Sequence, residues 1–153
     1  MQTFNILKGR DKMNVHEVKK LIAQTYWAKD RSIDVIQKSM ENSICFGVFL
    51  DKDVKQVGFA RVITDYATTY YICDVIIDSE YRGNGLGKKL LESIESDEEF
   101  CDLKGILVTK DAHGLYEKFG FAKDGSTFMQ KARKSEWLHY SLLEQFIRTF
   151  NSV

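Results

Sequence analysis

Three glycines fall within five residues where an apolar segment passes into a helical pattern. Gly83, Gly85 and Gly87 follow the segment 70–77, which is rich in aromatic and β-branched residues, and they precede leucines at helical spacing. A strand-to-helix turn of this kind leaves the first N–H groups of the helix unpaired and backed by the positive end of its dipole. The pattern predicts a main-chain binding site for a phosphate group.

The predicted anion site covers the turn and the first helical residues. Glycine lets the backbone approach an anion closely and take a positive φ, and basic side chains at the rim add charge. The alternative is a turn that only connects two elements, because a lone glycine pattern is a weak motif. The residues assigned to the site are Arg82, Gly83, Asn84, Gly85, Leu86, Gly87 and Lys88.

Size and charge restrict the class of protein. The 153 residues fit one domain over 1–153 with a single core. Basic and acidic residues number 22 each and are dispersed, so we expect no nucleic-acid partner. The first residues do not resemble a signal peptide, and no apolar stretch approaches the roughly 20 residues that span a bilayer. We therefore expect a cytoplasmic protein that does not associate with a membrane.

The cysteines argue against disulfides and metal binding. Cys45, Cys73 and Cys101 are odd in number and widely spaced, and two of them lie in apolar strand patterns. This arrangement favours reduced, buried thiols over disulfides or zinc ligands. The three histidines form no metal-binding spacing with them, so we predict no metal site.

The remaining patterns predict an α+β fold with a mixed, mostly antiparallel sheet flanked by helices. Asn14 and Ser32 are placed to cap two early helices, and Glu17 is placed for a capping-box contact with Asn14. An antiparallel meander should follow, and the strand after the next helix should return beside it in parallel through a helical crossover. The predicted strands are 3–7, 44–50, 56–64, 70–77, 105–109, 121–122 and 127–132.

Three further helices are predicted in the second half of the chain. One runs from Gly85 to about Ser96, and a short one covers 111–119. Ser135 is placed to cap the last, so that 135–153 forms a C-terminal helical extension. An apolar stripe on that helix leaves both a monomer and a homodimer open.

Two motifs resemble those of the GNAT superfamily of acetyl-CoA-dependent N-acetyltransferases. The first matches the turn that binds the pyrophosphate of coenzyme A, and the second matches the family's late signature. The resemblance implies a sheet whose central parallel strands splay apart, with acetyl-CoA as co-substrate. Thr109 departs from the family pattern, which often has asparagine there. The motifs are Arg82-x-x-Gly85-x-Gly87 and Ala112-x-x-Leu115-Tyr116-x-x-x-Gly120-Phe121.

The resemblance also implies roles for single residues. Tyr116 would protonate the departing thiolate. The backbone N–H groups of Val75, Ile76 and Ile77 would stabilise the developing oxyanion. Tyr26, Trp27 and Arg31 lie in the region that often walls the acceptor side, where the alternative is ordinary packing, and an arginine there hints at an acceptor carboxylate.

Amine acetylation also needs a group that takes a proton, because a lysine-type amine is almost fully protonated at pH 7. Asp74 is the catalytic candidate, since burying a carboxylate among apolar strand residues costs free energy unless the group is paired or has a function. The alternative for Asp74 is a structural acceptor for backbone groups or Arg61. Asp65 is a weaker candidate, because aspartate is common in turns. Where many family members have a glutamate base, this chain has Tyr71.

Three functions follow from these patterns. The leading hypothesis is an acetyltransferase that acts on a primary amine of a small molecule in a ternary complex. The first alternative is acetylation of a protein lysine or N-terminus. The second is a non-catalytic module that binds acyl-CoA, and the lack of an obvious base keeps that alternative open.

Overall fold

The structure, a computed structural model, describes residues 3–50, 55–129 and 131. Residues 1–121 form one compact unit and residues 122–153 form a second. The organisation of 1–153 as one domain stays a prediction.

The first unit contains a five-stranded sheet in the order β1-β2-β3-β4-β5. The first four strands form an antiparallel meander, and β5 pairs with β4 in parallel. These findings confirm the predicted mixed sheet and its helical crossover. The strands are β1 (Phe4–Lys8), β2 (Ile44–Leu50), β3 (Lys55–Thr64), β4 (Thr69–Ile77) and β5 (Lys104–Leu107).

In the part of the chain that the structure describes, four α-helices accompany the sheet, namely α1 (Val15–Ala23), α2 (Ile33–Glu41), α3 (Leu86–Glu95) and α4 (His113–Tyr116). The predicted caps are confirmed: Asn14 Oδ1 accepts from the N–H groups of His16 and Glu17, and Ser32 Oγ accepts from Val35. The predicted capping box is not formed. The Glu17 carboxylate pairs with Lys20, and the Asn14 N–H donates to Gln56 instead.

A hydrophobic core lies on each face of the sheet. Side chains of α3 and Tyr116 pack on one face with alternate residues of β2, β3 and β4. Helices α1 and α2 cover the other face, where they pack on Cys45, Phe49 and Phe59. Successive side chains along the strands therefore pack alternately into two separate layers.

A β-bulge interrupts β4 at Asp74. Arg61 pairs with Cys73 before the bulge and Phe59 pairs with Ile76 after it, so that Ala60 alone faces two residues of β4. Asp74 takes a positive φ of 53°, which is rare inside a strand and least unfavourable for aspartate and asparagine. The extra residue reverses the alternation, so side chains at odd positions after the bulge join the α3 face.

The parallel strands separate just before this bulge. β4 and β5 are paired only from Thr69 with Lys104 to Ile72 with Leu107, and β4 continues to Ile77. Among the described residues, the β5-facing edge of 73–77 therefore has no strand partner. This opening is the splay that the GNAT resemblance implies.

Two predicted segments are shorter than expected. β5 ends at Leu107 rather than at residue 109, because the Thr109 hydroxyl accepts from the Ala112 N–H and turns the chain. The helix predicted over 111–119 consists of α4 and a single 3-10 turn that ends at Gly120, which has a φ of 83°.

One prediction is wrong for residues 121–129. Strands were expected at 121–122 and 127–132, but no strand is formed in the described residues 121–129. The Asp124 carboxylate accepts hydrogen bonds from Ser126 and from the Thr127 hydroxyl. Such local bonds compete with a strand ladder. The rest of the second predicted strand, apart from Lys131, and the helix predicted from Ser135 lie outside the described residues.

Within the described part of the chain, no helix combines the length and apolar character that crossing a bilayer requires.

The tight contact at Gly105 gives a first test of the packing between β4 and β5. A methyl group at Gly105 would lie 2.6 Å from Tyr70 Oη and 2.9 Å from the Phe121 ring. Tyr70 has little freedom to move, because it stacks on Phe100 at 5.5 Å and donates to Glu95. We expect Gly105→Ala to lower the free energy of unfolding in urea by about 1–3 kcal/mol.

Gly114→Ala is the matched control, because a methyl group there meets no atom within 4 Å. Its urea midpoint should equal or slightly exceed that of the unchanged protein. Equal midpoints for the two variants would contradict the described packing.

Candidate active site

The glycine turn presents unpaired main-chain donors. Gly85 is the N-cap of α3 with a φ of 73°, and no side chain caps the helix. Gly83 also takes a positive φ, of 80°, as predicted, whereas Gly87 does not. In the described part of the chain, the N–H groups of Leu86, Gly87 and Lys88 have no hydrogen-bond acceptor. The turn therefore exposes several donors at the positive end of the helix dipole.

The space in front of the turn is open. A Cβ atom built at Gly83 or Gly85 would meet no atom within 4 Å. At Gly87 it would lie 3.8 Å from side-chain atoms of Ile77 and Leu115, so the turn, the end of β4 and α4 converge there. An anionic group of the size of a phosphate fits this arrangement, with main-chain donors on one side and space on the other.

The polar side chains at the rim are partly held by the turn itself. Arg82 Nε donates to the carbonyl oxygen of Ile77 at 2.9 Å and thereby ties the turn to the end of β4. Asn84 Nδ2 donates to the carbonyl oxygen of Tyr81 at 3.1 Å. Lys88 pairs with Glu92 at 3.2 Å. All three side chains stay exposed, so their charge and polarity remain at the edge of the open space.

Tyr116 lies beside the turn, in the core on the α3 face. It is 9% exposed and contacts Phe121 edge to face, with ring centroids 6.2 Å apart. Burial, with a smaller effect of the Asp111 charge, raises the pKa of Tyr116 to about 12. The phenol therefore keeps its proton at neutral pH. Thr109 fixes the start of α4 by accepting from the Ala112 N–H at 3.0 Å.

Asp74 is held by two arginines that come from different parts of the chain. Arg31 Nη1 donates to Asp74 Oδ2 at 2.7 Å, and Arg61 Nε donates to the same oxygen at 2.6 Å. The Asp74 side chain is only 4% exposed. Arg61 also donates to Ser43 Oγ at 2.9 Å. The bulge of β4, the neighbouring strand β3 and the loop between α1 and α2 are thus joined at one carboxylate.

This pairing makes Asp74 a weak base. Burial alone would raise the pKa of Asp74, but the hydrogen bond from Arg31 and the charge of Arg61 outweigh it and lower the pKa below its usual value. A carboxylate that is already bound to two guanidinium groups has little tendency to take up a proton at pH 7. The geometry favours the structural role that the sequence left open for Asp74.

Two thiols flank Arg61 on the same face of the sheet. Cys45 pairs with Arg61 across β2 and β3, and Cys73 pairs with it across β3 and β4. Burial raises the pKa of each thiol to about 11, so both are neutral at pH 7. Among the described residues, no group of three or more potential ligands could hold a metal ion.

The residues assigned to the acceptor side fall on the loop between α1 and α2. Tyr26 and Trp27 are 58% and 51% exposed and contact each other edge to face at 5.0 Å. The Lys110 ammonium lies 5.5 Å from the Tyr26 ring centroid, so the loop also reaches the segment that follows β5. The loop thus contacts β4 through Arg31 and the segment after β5 through Tyr26.

Asp65 has a turn role at the opposite end of β4 from the glycine turn. Its Oδ1 atom accepts from the N–H groups of Ala67, Thr68 and Thr69. The hydroxyl of Thr68, followed by these backbone donors, lowers the pKa of Asp65 below its usual range.

The contact that sequence reasoning missed is the one between Arg31 and Asp74, which are 43 residues apart. A charged residue in an apolar strand indicates that a partner of opposite charge exists, but the sequence pattern does not identify that partner.

Comparison with known proteins gives consistent matches. The family model described as acetyltransferase (GNAT) domain matches residues 42–123, which is more than half of the chain. The chain is 28% identical over 117 residues to ycf52 of Gracilaria tenuistipitata, an uncharacterized N-acetyltransferase, covering 73% of this chain and 64% of that protein. The match thus spans less than two thirds of that relative's length.

Solved structures share the fold. A crystal structure of a GNAT-family protein from Xanthomonas campestris is 33% identical with a TM-score of 0.79, covering 86% of this chain and 94% of that one. An aminoglycoside N-acetyltransferase in complex with coenzyme A is 13% identical with a TM-score of 0.67, covering 87% of this chain and 97% of that one. At that identity the second likeness concerns the fold alone.

The paired carboxylate at the bulge gives a test of stability. Asp74→Asn would leave two guanidinium groups without their counter-ion, so we expect a loss of about 3–5 kcal/mol in the free energy of unfolding at pH 7. Because the pKa of Asp74 is lowered in the folded state, its contribution is complete above the unfolded pKa near 4 and is lost as the pH falls further. The difference between the two proteins in urea unfolding should therefore shrink below pH 4.

Asp30→Asn is the control, since Asp30 is exposed on the α1–α2 loop. The urea midpoint of this variant should equal that of the unchanged protein both at pH 7 and below pH 4. A difference for Asp74→Asn that does not depend on pH would contradict the ion-pair account.

Proposed function

Because the chain belongs to the GNAT superfamily of N-acetyltransferases, we propose that it transfers an acetyl group from acetyl-CoA to a primary amine of a small molecule. The observation that carries the proposal is the open, uncapped start of α3, next to the separated ends of β4 and β5 and to Tyr116. The reaction would proceed by direct attack in a ternary complex. We expect the protein to act in the cytoplasm as a monomer or homodimer.

When bound, acetyl-CoA supplies an acetyl group that is activated as a thioester. The residues that would hold its pyrophosphate are those of the turn and the first turn of α3. Gly83 and Gly85 leave room, and the N–H groups from Leu86 to Lys88 donate without competition from a capping side chain. Arg82 and Asn84 would add polar contacts from the rim.

Val75, Ile76 and Ile77 would provide the donors that stabilise negative charge on the acetyl oxygen. They follow the bulge, and the edge of β4 that faces β5 has no described strand partner there. Backbone N–H groups in such an opening are fixed by the sheet on their other side, so they need little reorganisation to act.

Tyr116 would donate a hydrogen bond from its Oη atom to the departing sulfur. A pKa of about 12 means that the phenol is protonated throughout the neutral and mildly alkaline range. It also means that full transfer of the proton to a thiolate, with a pKa near 8.5, is uphill. We therefore propose hydrogen-bond donation by Tyr116, with water as the final source of the proton.

Asp74 would act as a positioning residue. Its lowered pKa and two arginine partners make it a poor acceptor for the amine proton, whereas they hold the bulge that sets the direction of Val75 to Ile77. The amine proton would then pass to water. The same lack of a described base favours, as a second candidate, a protein that binds acyl-CoA without transferring it.

One experiment separates these candidates. Release of free thiol from acetyl-CoA would be followed with amino acids, polyamines, aminoglycosides and lysine peptides, and calorimetry would measure the affinity for coenzyme A. Thiol release with small amines supports the proposal, whereas release only with peptides supports a protein acceptor. Binding without release supports the module, and the absence of binding would overturn both.

Gly85→Asp tests the turn as the pyrophosphate site. Aspartate is among the residues least disfavoured at the positive φ of this position, and its carboxylate would lie in the open space in front of the helix. We expect the dissociation constant for coenzyme A in calorimetry to rise by ~100-fold or more, because like charges would meet at short range.

Gly125→Asp makes the same chemical change at a second glycine with open space around it, in the second unit. Its affinity for coenzyme A should stay unchanged. Unaltered binding by Gly85→Asp would remove the phosphate assignment.

Tyr116→Phe tests the phenol. Removing only the hydroxyl keeps the packing against Phe121, so affinity for coenzyme A should stay near normal while turnover falls by about 100-fold. Because the pKa is about 12, the turnover of the unchanged enzyme should show no loss between pH 7 and 9 from ionisation of this group.

Tyr66→Phe is the control for Tyr116→Phe, since Tyr66 is exposed in the turn between β3 and β4. The turnover of Tyr66→Phe should equal that of the unchanged enzyme. If the turnover of Tyr116→Phe does so as well, another donor assists the departing sulfur.

A further inference from the structure

The charged side chains at the β4 bulge do not neutralise one another. One carboxylate, Asp74, faces two guanidinium groups, and the side chains of Arg31 and Arg61 are only 17% and 13% exposed. Among the described residues, Tyr71, Cys45 and Cys73 have raised pKa values and are neutral at pH 7, and Arg10, whose charge acts on Cys45, is a further cation nearby. The cluster of Arg31, Asp74 and Arg61 therefore carries a net positive charge in a largely buried place.

An anion bound beside this excess positive charge would stabilise it, because buried ionic groups in proteins are normally paired. Arg31 has the donors to bind one. Its Nη1 atom donates to Asp74, and no other described group accepts from its guanidinium, which has five N–H donors. Arg61 is more fully occupied, since it donates to both Asp74 and Ser43.

Arg31 is also held in position. Lys19 Nζ donates to its carbonyl oxygen at 2.6 Å, and Ser32, the N-cap of α2, follows it directly. Its side chain reaches the bulge immediately before Val75 to Ile77. It also belongs to the loop that carries the exposed Tyr26 and Trp27. A guanidinium held by Asp74, with donors that no described group accepts, thus extends from the aromatic loop to the bulge of β4.

We infer that the amine acceptor carries an oxyanion, either a carboxylate or a phosphate, and that Arg31 binds this group. Arginine suits both, because its planar fork can donate two parallel hydrogen bonds to either oxyanion. Binding there would direct the amine of a small acceptor toward Val75 to Ile77. The inference rests on the acetyl transfer proposed above and names the chemical class of its acceptor.

Matched pairs of amines test the inference, because the members of each pair differ in the oxyanion. Phenylalanine with phenethylamine, and glutamate with 4-aminobutyrate, probe the carboxylate, while phosphoethanolamine with ethanolamine probes the phosphate. Each compound would be titrated by calorimetry into protein saturated with coenzyme A, and thiol release from acetyl-CoA would be measured in parallel. We expect the member richer in oxyanion to bind at least tenfold more tightly in one of the two classes.

Arg31→Gln should abolish this preference, and Arg31→Lys should retain part of it by keeping the charge without the fork. Lys29→Gln removes the same charge from an exposed position of the same loop and should leave the preference intact. Thermal unfolding of each variant would identify loss of structure, and Arg31→Lys keeps the test valid if Arg31→Gln is unstable. The inference would be overturned if the unchanged protein showed no preference. It would also be overturned if the full preference persisted in Arg31→Gln, or in Arg31→Lys where Arg31→Gln is unstable.

The two proposals fail in different ways. Binding that depends on the oxyanion and on Arg31, without thiol release, would keep the acceptor site and reject the transfer. Thiol release that ignores the oxyanion would keep the transfer and reject the role of Arg31.

Discussion

The ion pairs of Asp74 connect the three parts of the chain that meet at the opening in the sheet. Arg61 anchors the carboxylate to β3, Arg31 anchors it to the loop between α1 and α2, and Asp74 itself forms the bulge. A positive φ at a residue other than glycine is unfavourable, and it persists only where the surroundings fix it. Two charge-assisted hydrogen bonds provide that constraint. The direction of the following residues of β4 depends on this arrangement.

The two sides of the site recognise their ligands by different means. The glycine turn offers main-chain donors and open space, so its selectivity is for an anionic group rather than for a particular shape. The opposite side is built from side chains on a loop, namely Tyr26, Trp27 and Arg31. Loops of this kind carry specificity on a rigid scaffold. The sheet and α3 can thus serve a common co-substrate while the loop determines the acceptor.

Patterns of short range were predictable from the sequence, and long-range contacts were not. Capping residues, the glycine turn and the alternation along β2 to β4 depend on neighbours within a few positions, and the structure confirms them. The bulge at Asp74 was not predictable, because nothing marks a non-glycine residue for a positive φ. The partner Arg31 lies 43 positions away from Asp74. In the described residues 121–129 no strand is formed, and Asp124 makes local hydrogen bonds there instead. The periodicity of apolar residues reveals neither a distant ion-pair partner nor local side-chain hydrogen bonds that compete with a strand.

The row formed by Cys45, Arg61 and Cys73 has a consequence for the chemical reactivity of the protein. Two strand spacings separate the thiols, roughly 9–10 Å, which is beyond the reach of a disulfide. Since each is neutral and at least partly shielded, neither offers a thiolate to an oxidant or an alkylating reagent. Cys101 is the exposed cysteine of the three. A maleimide dye added to the folded protein would therefore attach at one defined point, on the loop between α3 and β5, without removal of any native cysteine.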